Sequence, residues 1–238
     1  QAAARRMSLP CAVVLAGGFG TRLQSVVADV PKPMAPVAGR PFLEVLLDTL
    51  ADAGVGRVVL AVGYKREVIE RHFEAAYRGM TIEYSVESAP LGTGGALRQA
   101  LDLTGVARAL VLNGDTWCPV DLQALIDTHR RHAAMLTLTL TQVPDAGRFG
   151  AVELDADGRV RAFHEKRAGG GPGRINAGVY VVERSLLSYA PSTCNFSFET
   201  DVMQRQVGHV PVFGHVTDAP FIDIGIPSEF ARAQALFA

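Results

Sequence analysis

The 238 residues carry 23 Lys plus Arg against 24 Asp plus Glu, a formal net charge of -1, with 48% hydrophobic and only 20% charged residues. This balance describes one globular domain long enough to bury a full core, and it offers no field to hold a nucleic acid or an anionic membrane. Cys11, Cys118 and Cys194 are odd in number, far apart and in no C-x-x-C spacing, which speaks against a disulfide framework or a zinc site and points to a reducing cytoplasm. No apolar run reaches the ~18 residues of a membrane span, and no secretory h-region follows the start. Residues 1–6 are read as an N-terminal extension ahead of Met7, and residues 7–238 as a single domain.

From Cys11 to about Gln142 short apolar runs alternate with helical patterns, the mark of β-α units around a parallel sheet. CAVVLA (Cys11 to Ala16), RVVLAV (Arg57 to Val62), TIEYSV (Thr81 to Val86), ALVLN (Ala109 to Asn113) and MLTLTLTQV (Met135 to Val143) are expected strands. Between them FLEVLLDTLADA closes on Gly54, a C-terminal stop signal, and KREVIERHFEAAY, TGGALRQALDL and DLQALIDTHRRH repeat the helical period. Strands so uniformly apolar are buried on both faces, so a doubly wound, mostly parallel twisted α/β sheet is predicted.

From about Gly147 the texture changes to AVEL, RVRAFHE, INAGVYVV and VPVFGHV, read as a small antiparallel lobe attached to the core. AGGGPGR (Ala168 to Arg174) is expected to be a flexible loop. FSFETDVMQRQVG and PSEFARAQALF supply two final helices. The division expected is a core at about 11–143 and an attached part at about 147–238.

The strongest local signal is L-A-G-G-F-G-T-R-L, a glycine turn leaving the first strand. Gly17, Gly18 and Gly20 let backbone N–H groups ring an anion without Cβ clashes, and Arg22 adds a fork of donors. The loop is neither a Walker A loop nor the dinucleotide G-x-G-x-x-G. Lys32 lies between two prolines that are expected to hold it in extended backbone and aim one cation at one place. Asp115 follows an apolar strand at the edge where α/β sheets place ligands, and Asp223 is a second carboxylate flanked by apolar residues. The bland roles for these two are a turn residue and a cap for the last helix, where Ser228 competes better. Trp117 and Cys118 read as packing, and His129 and His132 as solvated charge at a helix end.

G-G-x-G-T-R-L followed by P-K-P-M-x-P resembles the signature of the sugar-1-phosphate nucleotidyltransferases, and V-E-S-A-P-L-G-T-G-G-A-L, L-N-G-D-T, F-G-A-V, H-E-K, I-N-A-G-V-Y and F-I-D-I-G-I-P continue the resemblance in order. It implies a Rossmann-like fold and the joining of a sugar 1-phosphate to a nucleoside triphosphate with release of pyrophosphate. Within the family, E-x-x-P-L-G-T-G-G-A, N-G-D-T and F-S-F-E-T-D-V look most like the guanylyltransferases of D-glycero-D-manno-heptose 1-phosphate. The resemblance makes Arg22, Lys32 and Lys166 catalytic and puts the nucleotide against Leu15, Ala16, Gly17, Gly18, Gly20, Thr21, Asn113 and Gly114. It gives the base to Glu87, Gly92 and Thr93, the sugar phosphate to Gly150, Glu165, Lys166, Asn176 and Glu199, and Mg²⁺ to Asp115 and Asp223.

A carboxylate only accepts, so Glu87 suits the N1–H and N2–H₂ donors of guanine better than the carbonyls of uracil. The partners expected are therefore an NTP, with GTP favoured, and a sugar 1-phosphate, without nucleic acid or membrane; homo-oligomerisation is left open. Alternatives kept are a uridylyltransferase for an N-acetylmuramic acid 1-phosphate type of substrate, a mannose-1-phosphate guanylyltransferase, and a non-catalytic regulatory relative. The presence of Arg22, Lys32, Asp115, Lys166 and Asp223 together argues against the last.

Overall fold

The computed structural model describes residues 9–18, 30–164 and 171–238. In chain order it contains β1 (Ala12–Leu15), the short strands β2 (Pro36–Val37) and β3 (Arg40–Pro41), α1 (Phe42–Ala53), β4 (Arg57–Val62) and α2 (Arg66–Phe73). Then come β5 (Ala76–Tyr77), β6 (Met80–Val86), α3 (Gly92–Thr104), β7 (Arg108–Asn113), β8 (Thr116–Trp117), α4 (Leu122–Arg131) and β9 (Leu136–Val143). The chain continues through β10 (Val152–Leu154), β11 (Val160–Phe163), β12 (Gly173–Glu183), a π-helix at Phe198–Gln204, β13 (Val212–Thr217), β14 (Ile222–Asp223) and α5 (Pro227–Leu236).

Eight strands form one sheet in the order β13-β9-β12-β7-β1-β4-β6-β5. The pairings make β13, β9, β7, β1, β4 and β6 run one way and β12 and β5 the other. Alternation along β1 sends Ala12 and Val14 into the core under α1, α2, α4 and α5, and Val13 into the opposite core with α3 and the π-helix. Both faces are thus covered, as the near-continuous apolar strands require. From β1 the chain winds outward through β4 to β6, then returns through α3 to place β7 on the other flank of β1. That reversal opens a crevice beyond the carboxyl ends of β1 and β7, where open α/β sheets bind ligands.

The mostly parallel sheet was legible, and α1 has the expected bounds with Gly54 at φ 89° closing it. The antiparallel part is smaller than the sequence suggests. INAGVYVV lies within β12, inserted between β7 and β9 of the main sheet, and VPVFGHV supplies β13, parallel to β9. Outside the main sheet, β10 and β11 make an antiparallel pair in that region, and β14 pairs antiparallel with β8. Gly173 and Arg174, expected in a loop, already pair with Val143 and Gln142; residues 168–170 of that loop lie outside the described residues.

KREVIERHFEAAY is not one helix. Helix α2 stops at Phe73, Glu74 takes φ 51°, and Ala76–Tyr77 returns as an edge strand through a hairpin turn at Arg78 (φ 45°) and Gly79 (φ 82°). Two consecutive positive φ values match a primed two-residue turn, whose twist suits a hairpin.

His129 is fully buried, not solvated: its Nε2 faces Glu183 Oε1 at 3.1 Å and its Nδ1 faces Thr137 Oγ1 at 2.9 Å. A carboxylate only accepts, so Nε2 carries the proton and Nδ1 accepts from the threonine. Burial lowers the His129 pKa against the opposing pull of Glu183. His132 stacks on Phe213 with ring centroids 4.1 Å apart.

Candidate active site

The crevice is a cavity of about 860 Å³ whose wall takes residues from both ends of the chain. Leu15, Ala16, Gly17 and Gly18 continue β1 into it, Asn113, Gly114 and Asp115 continue β7, and Glu87, Gly92 and Thr93 come from the loop between β6 and α3. Lys32, Asn176, Glu199 and Asp223 complete the set of sequence-expected residues found in the wall. Gly150 is not in the wall: it takes φ 84° and its N–H donates to Ala146 O, so its neighbour Phe149 lines the cavity instead. Gly20, Thr21, Arg22, Glu165 and Lys166 lie outside the described residues.

Close backbone approach governs the phosphate-loop side. Gly114 N–H donates to Leu15 O at 2.9 Å, and a Cβ on Gly114 would sit 2.6 Å from that oxygen, so β1 and β7 can meet here only through glycine. A Cβ on Gly17 would collide with the Glu87 carboxylate. Glu87 is held by its own backbone N–H to Val62 O at 2.8 Å, and its Oε2 accepts from Leu91 N–H at 3.0 Å. Burial raises the pKa of Glu87, and the Leu91 N–H pulls the other way.

Lys32 is not in extended backbone. Pro31 is extended, but Lys32 opens a one-turn 3-10 helix over Lys32–Met34, because Pro33 follows at a position where its missing N–H is not needed. Its Nζ donates to Asp115 Oδ2 at 2.5 Å and lies 3.9 Å from Asp223 Oδ1. The two aspartates are brought together by the ladder between β8 and β14, which pairs Thr116 with Asp223, and by Ile224 N–H donating to Asp115 O at 3.0 Å. Asp223 does not cap α5: the cap position is Ile226 with Pro227 behind it, and Asp223 Oδ1 instead accepts from Gly225 N–H at 2.8 Å. A Cβ on Gly225 would come 3.1 Å from Lys32 Cε and 2.9 Å from Asp223 Oδ1, so glycine here makes room for the lysine.

On the floor, the fully buried Tyr180 hydroxyl accepts from Asn176 Nδ2 at 2.8 Å and Asn113 Nδ2 at 3.4 Å. Asn176 Oδ1 accepts from Gly178 N–H at 3.0 Å, within an irregularity of β12 that turns Asn176 toward the crevice. Asn113 Oδ1 and Thr116 Oγ1 are buried with no hydrogen-bond partner among the described residues, which leaves polar capacity beside Asp115. Trp117 packs edge-on against Phe237 and donates to Thr49 Oγ1, and burial pushes the Cys118 thiol up to about 12, so both are packing residues as expected.

Among the described residues the wall carries one cation, Lys32, against the carboxylates of Glu87, Asp115, Glu199 and Asp223. A lysine ammonium set between two aspartates marks a place where positive charge is required. Paired hard oxygen ligands in the cavity wall fit a divalent cation. Sequence reasoning missed Gly63, Tyr64, Phe149 and Phe221 in the wall. Gly63 and Tyr64 had a signal, since they follow the apolar run of β4 at the same sheet edge; Phe149 and Phe221, which meet edge to face at 5.4 Å, head the F-G-A-V and F-I-D-I-G-I-P motifs, from which Gly150 and Asp223 were taken instead.

Comparison with known proteins agrees with this geometry. A heptose enzyme named D-glycero-alpha-D-manno-heptose 1-phosphate guanylyltransferase, from Aneurinibacillus thermoaerophilus, is 41% identical over 94% of this chain and 96% of its own. One of the same name from Campylobacter jejuni is 38% identical over 92% of this chain and 96% of its own. The mannose-1-phosphate guanylyltransferase of Mycobacterium tuberculosis is 40% identical over 94% of this chain but 63% of its own. HddC from Yersinia pseudotuberculosis, solved with GMP-PN, superposes with a TM-score of 0.84 at 34% identity, covering 97% of this chain and 100% of that one. Residues 11–238 match the family described as Nucleotidyl transferase, so the crevice at the carboxyl ends of β1 and β7 belongs to a chain of that family.

Proposed function

We propose that the chain transfers GMP from GTP to D-glycero-α-D-manno-heptose 1-phosphate, releasing pyrophosphate and forming a GDP-heptose. The observation that carries the reading is the near end-to-end likeness to two guanylyltransferases of that heptose phosphate. Glu87, an acceptor-only group in the cavity wall, supports guanine by its chemistry. Mannose 1-phosphate is the second substrate to test, on the strength of the mycobacterial relative.

In the proposed reaction a phosphate oxygen of the sugar phosphate bonds to the α-phosphorus of GTP while the bond to the bridging oxygen of pyrophosphate breaks. The attacking phosphomonoester has its second pKa near ~6 and is mostly dianionic at neutral pH, so no general base is needed. Alignment and charge neutralisation remain to be supplied. Lys32 and Arg22 neutralise the triphosphate, the glycine turn from Gly17 offers backbone N–H groups, and Glu87 accepts from the base. Lys166 holds the sugar's phosphate opposite them, while Asn176, Glu165 and Glu199 hold hydroxyls. Asp115 and Asp223 would hold Mg²⁺, which when bound neutralises phosphate oxygens and the charge that develops on the leaving group.

No helix among the described residues is long and apolar enough to cross a membrane, and soluble substrates fit a cytoplasmic site of action. The test is pyrophosphate release with Mg²⁺, using GTP, UTP, dTTP, CTP and ATP against heptose, mannose, glucose, N-acetylglucosamine and N-acetylmuramic acid 1-phosphates. Release with GTP and the heptose phosphate above all other pairs is the expected result; preference for UTP would refute the guanine reading.

A further inference from the structure

Thr93 stands in the motif that the family resemblance gives to the base, yet its hydroxyl is engaged elsewhere. Thr93 Oγ1 donates to Glu199 Oε2 at 2.5 Å and accepts from Phe198 N–H at 2.9 Å. A hydroxyl has one proton, and Thr93 has directed it at Glu199. Ser197 Oγ donates to the same carboxylate oxygen at 3.0 Å. Both bonds fall on Oε2, and a carboxylate has about four acceptor sites, so capacity remains at Oε1.

The rest of the G-T-G-G run serves the same approach. A Cβ on Gly92 or Gly95 would run into the backbone of Phe196 or Cys194, and one on Gly94 into the Phe196 ring. Gly94 N–H donates to Phe196 O and Phe196 N–H to Leu91 O, both at 3.0 Å, and Asn195 Nδ2 donates to Pro90 O at 2.9 Å. Arg98, about one turn beyond Gly94 on α3, donates to Pro191 O at 2.6 Å and lies 4.3 Å over the Phe196 ring. The glycines of α3 therefore let the segment before the π-helix lie directly on the helix start, which fixes where Glu199 stands in the wall.

We propose that Thr93 is a positioning residue for the sugar phosphate: it orients Glu199 through Oε2 so that the carboxylate accepts from a sugar hydroxyl, and it does not read the base. The inference rests on the proposed placement of the sugar beside Glu199. It also makes one element, the start of α3, set the geometry of the base-side loop and the sugar-side carboxylate together.

The test measures KM and kcat for each substrate in Thr93→Val, Thr93→Ser, Glu199→Ala and the Thr93→Val/Glu199→Ala double variant. Thr93→Val should raise the KM for the sugar phosphate by about tenfold, the order expected for a hydrogen bond to a charged group, with the KM for GTP within about twofold of wild type. Thr93→Ser should restore it, and the double variant should be no worse than Glu199→Ala alone, since non-additivity marks action through a shared group. A rise in the GTP KM alone, an unchanged sugar KM, or additive effects in the double variant would each overturn the proposal. Should Thr93→Val fail to fold, Ser197→Ala removes the other hydroxyl from Oε2; it should raise the sugar KM alone, and an unchanged value there overturns the proposal. If wild type prefers another nucleotide or sugar phosphate, the same cycle runs with that pair. Failure of the heptose reading then shows in wild type, and failure of the Thr93 reading in the cycle.

Discussion

Replacing Glu87 by Gln separates guanine recognition from loop support. In the structure Glu87 Oε2 accepts from Leu91 N–H at 3.0 Å, and the carboxylate lies against the Gly17 backbone in the cavity wall. A carboxylate can keep the Leu91 bond and still accept from both guanine donors, N1–H and N2–H₂. Gln has one acceptor oxygen; if it stays on Leu91 N–H, an NH₂ is turned toward two guanine donors. At least one hydrogen bond to a charged group is lost, about 1.5–3 kcal/mol, which is roughly 10- to 150-fold in kcat/KM for GTP. Uracil presents acceptors on the matching edge, so kcat/KM for UTP should hold or rise, and the GTP-to-UTP ratio should fall by at least about tenfold. Pyrophosphate release at saturating sugar phosphate reads both ratios. Equal losses with the two nucleotides would refute the reasoning and leave Glu87 as a pin for the loop at Leu91.

Asp115→Asn and Asp223→Asn should each abolish Mg²⁺-dependent turnover while far-UV circular dichroism stays native; full activity in either would remove that residue from the metal site. Chelation of divalent cations should weaken GTP binding measured by calorimetry without unfolding the chain, and unaltered affinity would count against the paired carboxylates as ligands. Gly95→Ala should lower Tm by a few degrees, because the added methyl meets the Cys194 carbonyl and the overpacking cost of about 1–3 kcal/mol exceeds the ~1 kcal/mol gained in helix propensity. A raised Tm would mean that the segment at 194–198 yields. His129, neutral and buried against Thr137, Glu183 and Arg108, has its pKa lowered, so the unfolded chain takes up a proton that the folded chain refuses. Stability should therefore fall as pH drops below ~6.5, by up to ~1.4 kcal/mol per pH unit, and His129→Gln should remove that slope in urea titrations at pH 5 to 7; an identical slope would refute the assignment.

What was legible in the sequence is what local periodicity and close approach encode. The two-sided apolar strands predicted a doubly wound sheet because each of their faces must be covered, and Gly54 marked the end of α1 because only a left-handed residue closes that helix cheaply. The places of Gly17, Gly18 and Asp115 in the wall were legible because they follow apolar strands that stop at one sheet edge, and Asp223 was legible by its apolar neighbours, although its strand pairs with β8 outside that sheet. Pairing was not legible. INAGVYVV has the same alternation whether it joins a separate lobe or enters the main sheet antiparallel, and only contacts distant in sequence, with β7 and β9, decide between them. Nor was the state of single side chains: His129 is followed directly by Arg130 and Arg131 yet faces inward, and Thr93 sits in a nucleotide motif yet bonds to a residue 106 positions away.

The charge arrangement of the crevice links these parts. Among the described residues, four carboxylates and one ammonium line a space that the proposed reaction must fill with a triphosphate and a phosphomonoester, both anionic. Such a wall repels its substrates unless cations enter with them or close over them. Lys32, placed between Asp115 and Asp223, offsets one of their two negative charges, and at 2.5 Å from one aspartate it is held within reach of the triphosphate site. Asp115 and Asp223 would hold a divalent cation bound with the triphosphate, which would supply positive charge there, and Lys32 beside them would be placed to meet the phosphates. The complex of triphosphate and one divalent cation is itself anionic, so the expected order, nucleotide with its cation first and sugar phosphate second, rests on the local positive charge that the cation and Lys32 would present beside the phosphates. Product-inhibition kinetics test this order. Pyrophosphate leaving first and the nucleotide sugar second is the expected pattern, and a random pattern with equal access for the sugar phosphate to the cation-free enzyme would refute it.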